Sequence, residues 1–335
     1  MAPQHLRKNK WVMAVLLIAV SVTLWASDRK VHHYTSKLFR FKDGVWMPSP
    51  AIPHGLGRYD VSSRGAVWTA EGTGGLSRLD GSHWTHYGKT EFGSPTDWIR
   101  GGFALRDEEV WGATNKGVVR FDGKSWRFYS DALKTDWPTD TTAGRSGIWV
   151  IDCYGNLSHF DGEHWTIRSL KSILSAPPPP GWGYWLDADV PPRLVMTGDG
   201  RLWVFWHGLW RQDGEEWREI QLPGMDFKQA LLIGHDTDSV WLRSGDSEIV
   251  AVTPDGRVTA RHGWREMGIS RKPEIRALVE SNGRLWVATS AGLVVFEGGR
   301  WQNVGWPADY WWITYVTLAP DGSAWVMGTK EEFGA

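Results

Sequence analysis

SNGRLWVATSAGLVVFEGGRW, residues 281–301, decides how the rest of the chain is read. Asn-Gly makes a tight turn, Arg-Leu-Trp-Val-Ala-Thr is a short run of strand formers, Gly-Leu-Val-Val-Phe is another, and Glu-Gly-Gly leads to a closing Trp. The stretch therefore reads as successive antiparallel strands. Its first half recurs as RGAVW (64–68), GDGRLW (198–203) and PDGSAW (320–325). The marker residues Trp68, Trp111, Trp149, Trp203, Trp241, Trp286 and Trp325 are spaced by 43, 38, 54, 38, 45 and 39 residues. Those intervals match the roughly 40–50 residues of a four-stranded propeller blade far better than any helical repeat. Seven markers predict seven blades.

The second half recurs as GGLSRLDGSHW (74–84), KGVVRFDGKSW (116–126), YGNLSHFDGEHW (154–165) and HGLWRQDGEEW (207–217). Asp-Gly pairs at 80–81, 122–123, 161–162 and 213–214 suit hairpin turns with positive backbone dihedrals. Blade 5 departs from the pattern, with Val258 where the closing Trp falls in the others. At the N-terminal side, LFRFKDGVW (38–46) is a second half without a first; at the C-terminal side, TYVTLAPDGSAW (314–325) is a first half without a second. The N-terminal strands are expected to complete the last blade and close the ring, which removes exposed sheet edges. A buried Trp hides about 200 Å² of apolar surface, roughly 5 kcal/mol gross, so one per blade is read as packing.

GGLSRLDGSHW and residues 281–301 resemble the two-component regulator propeller repeat, an acidic-Gly turn, a Leu-Trp strand, Gly-Leu and an Arg-Phe-Asp strand. The similarity runs over about residues 38–327. It implies an all-β, seven-bladed propeller of four-stranded antiparallel blades. It also implies an extracytoplasmic sensor part of a signalling protein. No segment resembling a kinase or a DNA-binding domain follows the repeats, so recognition is the role expected to carry over.

Composition narrows the partners. Lys and Arg number 37 against 38 Asp and Glu, for a formal charge of −1, which argues against nucleic acid. Cys153 is the single cysteine, so no intrachain disulfide forms and packing alone must hold the fold.

After a basic tail (1–10), residues 11–26, WVMAVLLIAVSVTLWA, carry no charge and predict an apolar helix directed to a membrane. Sixteen residues span roughly 24 Å, short for a bilayer core of about 30 Å and long for a signal-peptide core of about 7–15 residues. No small-x-small cleavage pattern follows, which favours an uncleaved anchor; a cleaved signal, giving a secreted protein, is the alternative. The propeller is expected outside the cytoplasm, periplasmic or extracellular, behind a linker over 27–37 and occupying 38–335.

Ligand sites on propellers gather where loops enter the innermost strands. Trp98, Trp137 and Trp312 lie thirteen, twelve and thirteen residues before their marker Trp, in PTDWIR (95–100), KTDWPTD (134–140) and PADYWWIT (307–314). Asp97, Asp136, Asp309, Tyr310 and Trp311 adjoin them. Such a platform would stack on a sugar, a cation or a peptide aromatic; the alternative is that these rings seal neighbouring blades. Arg58, Arg193 and Arg276 each stand ten residues before their marker, forming a partial ring that either attracts an anion or pairs with channel carboxylates. The long interval before Trp203 marks an insertion at about 169–192, whose Pro-rich run carries Trp182 and Trp185. It is read as a cover, a docking tip or an ordinary long loop.

No metal-ligand pattern, phosphate loop or Gly-x-Ser-x-Gly motif appears, and no catalytic residue, metal or cofactor is expected. The leading expectation is a membrane-tethered recognition propeller for a small molecule, glycan or protein segment. A lyase or hydrolase acting in the channel, with His54 or His235 as base, is one alternative, and a structural scaffold is another.

Overall fold

The computed structural model describes residues 32–51, 57–70, 74–170, 192–206, 208–222, 225, 231–233, 239–306 and 312–333. The expected apolar helix at 11–26 and most of the insertion lie outside them. Among the described residues no helix is long and apolar enough to cross a membrane. By its contacts the chain divides into Ser36–Thr329, which holds the blades, and a second unit, Met1–Thr35 with Lys330–Ala335.

The described strands form seven four-stranded antiparallel sheets. Blades 1 to 6 run over 59–87, 99–129, 138–169, 193–220, 231–263 and 275–305, each in simple sequential order. Blade 7 takes its two inner strands from Trp312–Leu318 and Ala324–Phe333 and its two outer ones from His32–Lys42 and Val45–Pro48. Each inner strand contacts the next, and that of blade 7 contacts Tyr59–Val61 of blade 1. The ring is closed, with the N-terminal strands completing the last blade. The first of them begins at His32, inside the stretch read as a linker over 27–37. Its neighbour in the sheet likewise continues to Phe333, so a partner strand is available there.

The sequence explains the layering within a blade. Second strands such as Gly147–Asp152 are buried at every position, as a strand covered on both faces requires, whereas outer strands such as Trp165–Ser169 are mostly exposed. The core consists of seven apolar seams, one between each blade and the next. Each marker Trp lies in the seam with the following blade, and Trp68, Trp111 and Trp203 are fully buried there. Flat sheets fanned around an axis leave wedge-shaped gaps, and large rigid rings fill them.

The hairpins show two chemistries. Asp43-Gly44 and Asn282-Gly283 have positive φ at both residues. At 122–123 and 161–162 only the Gly does. There Asp122 accepts the backbone N–H groups of Lys124 and Ser125, and Asp161 those of Glu163 and His164, so the carboxylate shapes the turn.

Closure is reinforced by charge. Arg40 and Lys42 on a strand near the N-terminus both bind Asp321 in the hairpin of the other half of blade 7, and Arg40 Nε donates to Ser323 at 3.0 Å. Desolvation tends to raise the Asp321 pKa, but Lys42, Ser323 and Arg40 outweigh it and hold the carboxyl well below its ordinary range. A depressed carboxyl contributes stability that is present above its unfolded pKa of about 4 and is lost as pH falls through the folded value. Asp321→Asn should therefore lower stability by about 0.5–1 kcal/mol at pH 7, as expected for a half-exposed pair. Urea midpoints for the two proteins should converge as the solution is acidified; a constant gap would show that the clasp is not electrostatic.

Candidate functional site

The strand that opens blade 2, Ile99–Arg106, and the one that opens blade 3, Pro138–Gly144, are each preceded by a Trp. Trp98 is 37% exposed and Trp137 half-buried, and neither belongs to an interblade seam. Between them lies Arg100. Its guanidinium carbon is 4.6 Å from the centre of the Trp98 ring and 3.5 Å from that of Trp137. Trp98 and Arg100 are two residues apart at a strand start, which lets both side chains project to one side. Desolvation lowers the Arg100 pKa below its ordinary value, with nearby Cys153 acting in the opposite direction.

The loop between the second and third strands of blade 3 secures this arrangement, with Cys153 N–H donating to the Trp137 carbonyl at 3.0 Å. Trp137 N–H donates to Thr135 Oγ1, whose hydroxyl donates to Asp152 at 2.8 Å. Asp152 is buried and also accepts from Tyr154, Asn156 N–H and the Asn156 amide, so its role is structural. Asp136 is exposed and pairs with Lys116 of blade 2. Asp97 is half-buried beside Trp98. The structure thus brings Trp98, Trp137 and Asp136 to one face. Trp312 begins the inner strand of blade 7, and its side chain is outside what is described; so are Asp309, Tyr310, Trp311, Trp182, Trp185, His54 and His235.

The three arginines read as a ring have separate partners. Arg58 crosses from blade 1 over blade 2 to Asp140 on blade 3, with Nη1 2.6 Å from Oδ1. Gly102 adjoins the crossing side chain. Its φ is +73°, and a Cβ there would stand 3.3 Å from the Arg58 guanidinium. Asp140 is buried and also accepts the N–H groups of Thr141 and of Leu194 on blade 4, so one carboxylate links three blades. Arg193 of blade 4 approaches the Thr139 carbonyl next to it at 3.5 Å. Arg276 instead pairs with Glu274 on its own blade.

Polar contacts continue from blade 1 to blade 7. Tyr59 donates to the Tyr315 and Trp325 carbonyls at 2.9 Å each, and Thr317 donates to Asp60 at 2.7 Å. Burial raises the Asp60 pKa, against hydrogen bonds from Thr317 and Val61. For Arg58, desolvation works downward, yet Tyr315 and Asp140 outweigh it and raise the pKa above the ordinary value. Asp140→Asn should destabilise the fold by about 2 kcal/mol, the size of a charged hydrogen bond. Denaturant unfolding checks this, and an unchanged midpoint would remove Asp140 from its linking role.

Sequence reasoning passed over Arg100, Lys116 and Asp140. Arg100 carried a signal in its place two residues after Trp98; Asp140 carried none, because its partners lie 82 and 54 residues away. Among the described residues no group of three His, Cys, Asp or Glu side chains is placed to hold a metal.

No protein-family model matches the chain, and no curated protein matches it in sequence. Solved structures do match. The chain is similar to the extracellular domain of the putative one-component system BT4673 from B. thetaiotaomicron, with TM-score 0.56 and 15% identity over 88% of this chain and 40% of that one. It is similar to the extracellular domain of the putative hybrid two-component system BT3049 from the same organism, with TM-score 0.56 and 14% identity over 87% and 42%. It is also similar to YCF48 bound to D1 peptide, with TM-score 0.56 and 14% identity over 92% and 98%. The chain spans about two fifths of the length of the first two. At these identities the likeness shows the propeller fold.

Proposed function

We propose that the chain is an extracytoplasmic recognition propeller, tethered through residues 11–26, that binds a ligand or partner on the face carrying Trp98, Arg100 and Trp137. One observation carries the reading: a guanidinium clamped between indoles of two neighbouring blades. An arginine held this way is ordered before any ligand arrives, and its edge N–H groups favour a carboxylate or similar anion. The exposed Trp98 ring supplies apolar surface beside it. A small acid, an acidic glycan or an acidic peptide segment all fit this chemistry. The likeness to sensor ectodomains supports an extracytoplasmic place, and the likeness to a propeller solved with a peptide supports a protein segment as ligand.

The test is a screen of carboxylic acids, acidic oligosaccharides and acidic peptides by calorimetry on the full chain in detergent. It is repeated with Trp98→Ala, Trp137→Ala and Arg100→Ala. Hits from the parent should lose about 10- to 100-fold in affinity, the range of a desolvated cation–π contact. Folded variants that bind as tightly as the parent would retire this face. Fractionation tests the tether separately, with the full chain expected in the membrane pellet.

A further inference from the structure

Among the described residues, three of the seams between blades contain the same aromatic box. Between blades 1 and 2, Tyr87 stacks on the marker Trp68 at 5.6 Å and 25°, and packs on Phe121 and Trp126 at 5.9 and 5.2 Å. Between blades 2 and 3, Tyr129 stacks on Trp111 at 5.8 Å and 20°, and packs on Phe160 and Trp165 at 5.3 and 5.8 Å. Between blades 5 and 6, His262 takes the tyrosine's place against Trp241, Phe296 and Trp301. In each box the Phe pairs in register with the Trp of its outer strand.

The seam between blades 3 and 4 keeps both indoles and has no aromatic ring at the two inner positions, while Trp206 and Trp210 are buried elsewhere in the seam and His159 stacks on the marker Trp. The marker is Trp149 and the outer-strand residue is Trp217. The tyrosine position, three residues after Trp165, is Arg168, and the phenylalanine position, in register with Trp217, is Gln212. A cleft of about 300 Å³ occupies the seam, lined by these four residues together with His159 and Thr166. Arg168 pairs with the exposed Glu215 at 2.7 Å. The Trp149 indole N–H, in a side chain that is 8% exposed, has no hydrogen-bond partner.

We propose that this cleft binds a phenol-type ring, an aromatic ring bearing a hydrogen-bonding substituent, in the space that Tyr129 and Phe160 fill one seam earlier. The Trp149 indole, already stacked on the His159 ring at 3.7 Å and 10°, and the Trp217 indole provide the walls against which a flat ring packs. Arg168 and Gln212, already bonded to Glu215 and to the Gly214 carbonyl, make this part of the seam polar, and the buried Trp149 N–H is the donor that an acceptor oxygen on the ring would satisfy. The cleft's volume is at the lower end for ligand pockets and suits a single ring with water. The same chemistry arrives either as a free phenolic molecule or as a tyrosine side chain of a peptide. This site lies apart from Arg100 and stands or falls independently of it.

Calorimetry on the full chain would use p-cresol, N-acetyl-tyrosinamide, a tyrosine-centred pentapeptide and methyl glucoside. The expected result is millimolar or tighter binding of the first two and none of the glucoside. A pentapeptide tenfold tighter than the amide assigns the site to a peptide; equal affinity assigns it to the free ring. The decisive variant restores the box: Arg168→Tyr with Gln212→Phe should fold, raise the unfolding midpoint and weaken p-cresol binding at least tenfold. Undiminished p-cresol affinity in that folded variant, or glucoside binding equal to that of p-cresol, overturns the proposal.

Discussion

A chain beginning at Ala51, without strands His32–Lys42 and Val45–Pro48, is expected to lose its monomeric fold. Blade 7 would keep two of its four strands and present the backbone edge of Ala324–Phe333 to solvent. An unpaired edge of that kind recruits other chains. The deletion also withdraws Leu38 and Phe39, both buried, and Phe41 and Trp46, which pack into the seam between blades 6 and 7. At roughly 2 kcal/mol for each such side chain the loss is on the order of 8 kcal/mol. That is comparable with the whole net stability of about 5–15 kcal/mol typical of folded domains. Light scattering and circular dichroism should report oligomers or an unfolded chain, and a peptide of residues 32–50 added in trans should recover part of the fold. A monomer with the parent's unfolding midpoint would mean that the ring does not depend on this closure.

Trp111→Ala is expected to cost about 3–5 kcal/mol, the range for emptying a fully buried aromatic site. Trp111 stacks on Tyr129, tilts against Phe160, receives the Arg120 guanidinium over its face at 5.1 Å, and donates from Nε1 to Glu109 at 3.3 Å. Flanking sheets cannot collapse onto the gap, because each is also fixed to the blade beyond it. Trp98→Ala, at an exposed site outside the seams, should change stability by no more than about 0.5 kcal/mol. Urea denaturation of both variants checks the contrast. Equal effects would mean that the marker Trp residues are not the rings that hold blades together.

Whatever repeats was legible in the sequence. The interval between marker Trp residues gave the blade count because each must reach the next seam, and the orphan halves at 38–46 and 314–325 gave the closure because a sheet edge needs a partner. Contacts between blades were harder to read. Arg100 meets Trp137 across a blade boundary, and no spacing within one repeat reports that. For Arg58, Arg193 and Arg276 the spacing left an anion site and pairing with carboxylates both open, and it could not name the partners: Arg58 reaches Asp140 two blades on, while Arg276 finds Glu274 two residues away. The altered seam was visible in principle, since HGLWRQDGEEW has Gln212 where KGVVRFDGKSW has Phe121. It acquires meaning only beside the rings that fill the neighbouring seams.

Because the ring is fastened by strands from opposite ends of the chain, its folding has an order in time. Ser36 and Thr329, hydrogen-bonded side chain to side chain at 3.1 Å, are 293 residues apart. On a ribosome adding about 5–20 residues per second, the earlier strand waits roughly 15–60 s for its neighbour to be made. Throughout that interval it pairs only with Val45–Pro48, its other edge and the side chains of Leu38, Phe39 and Phe41 lacking their partners, and a chaperone that shields residues 38–46 until synthesis passes Thr329 would raise the yield of closed rings.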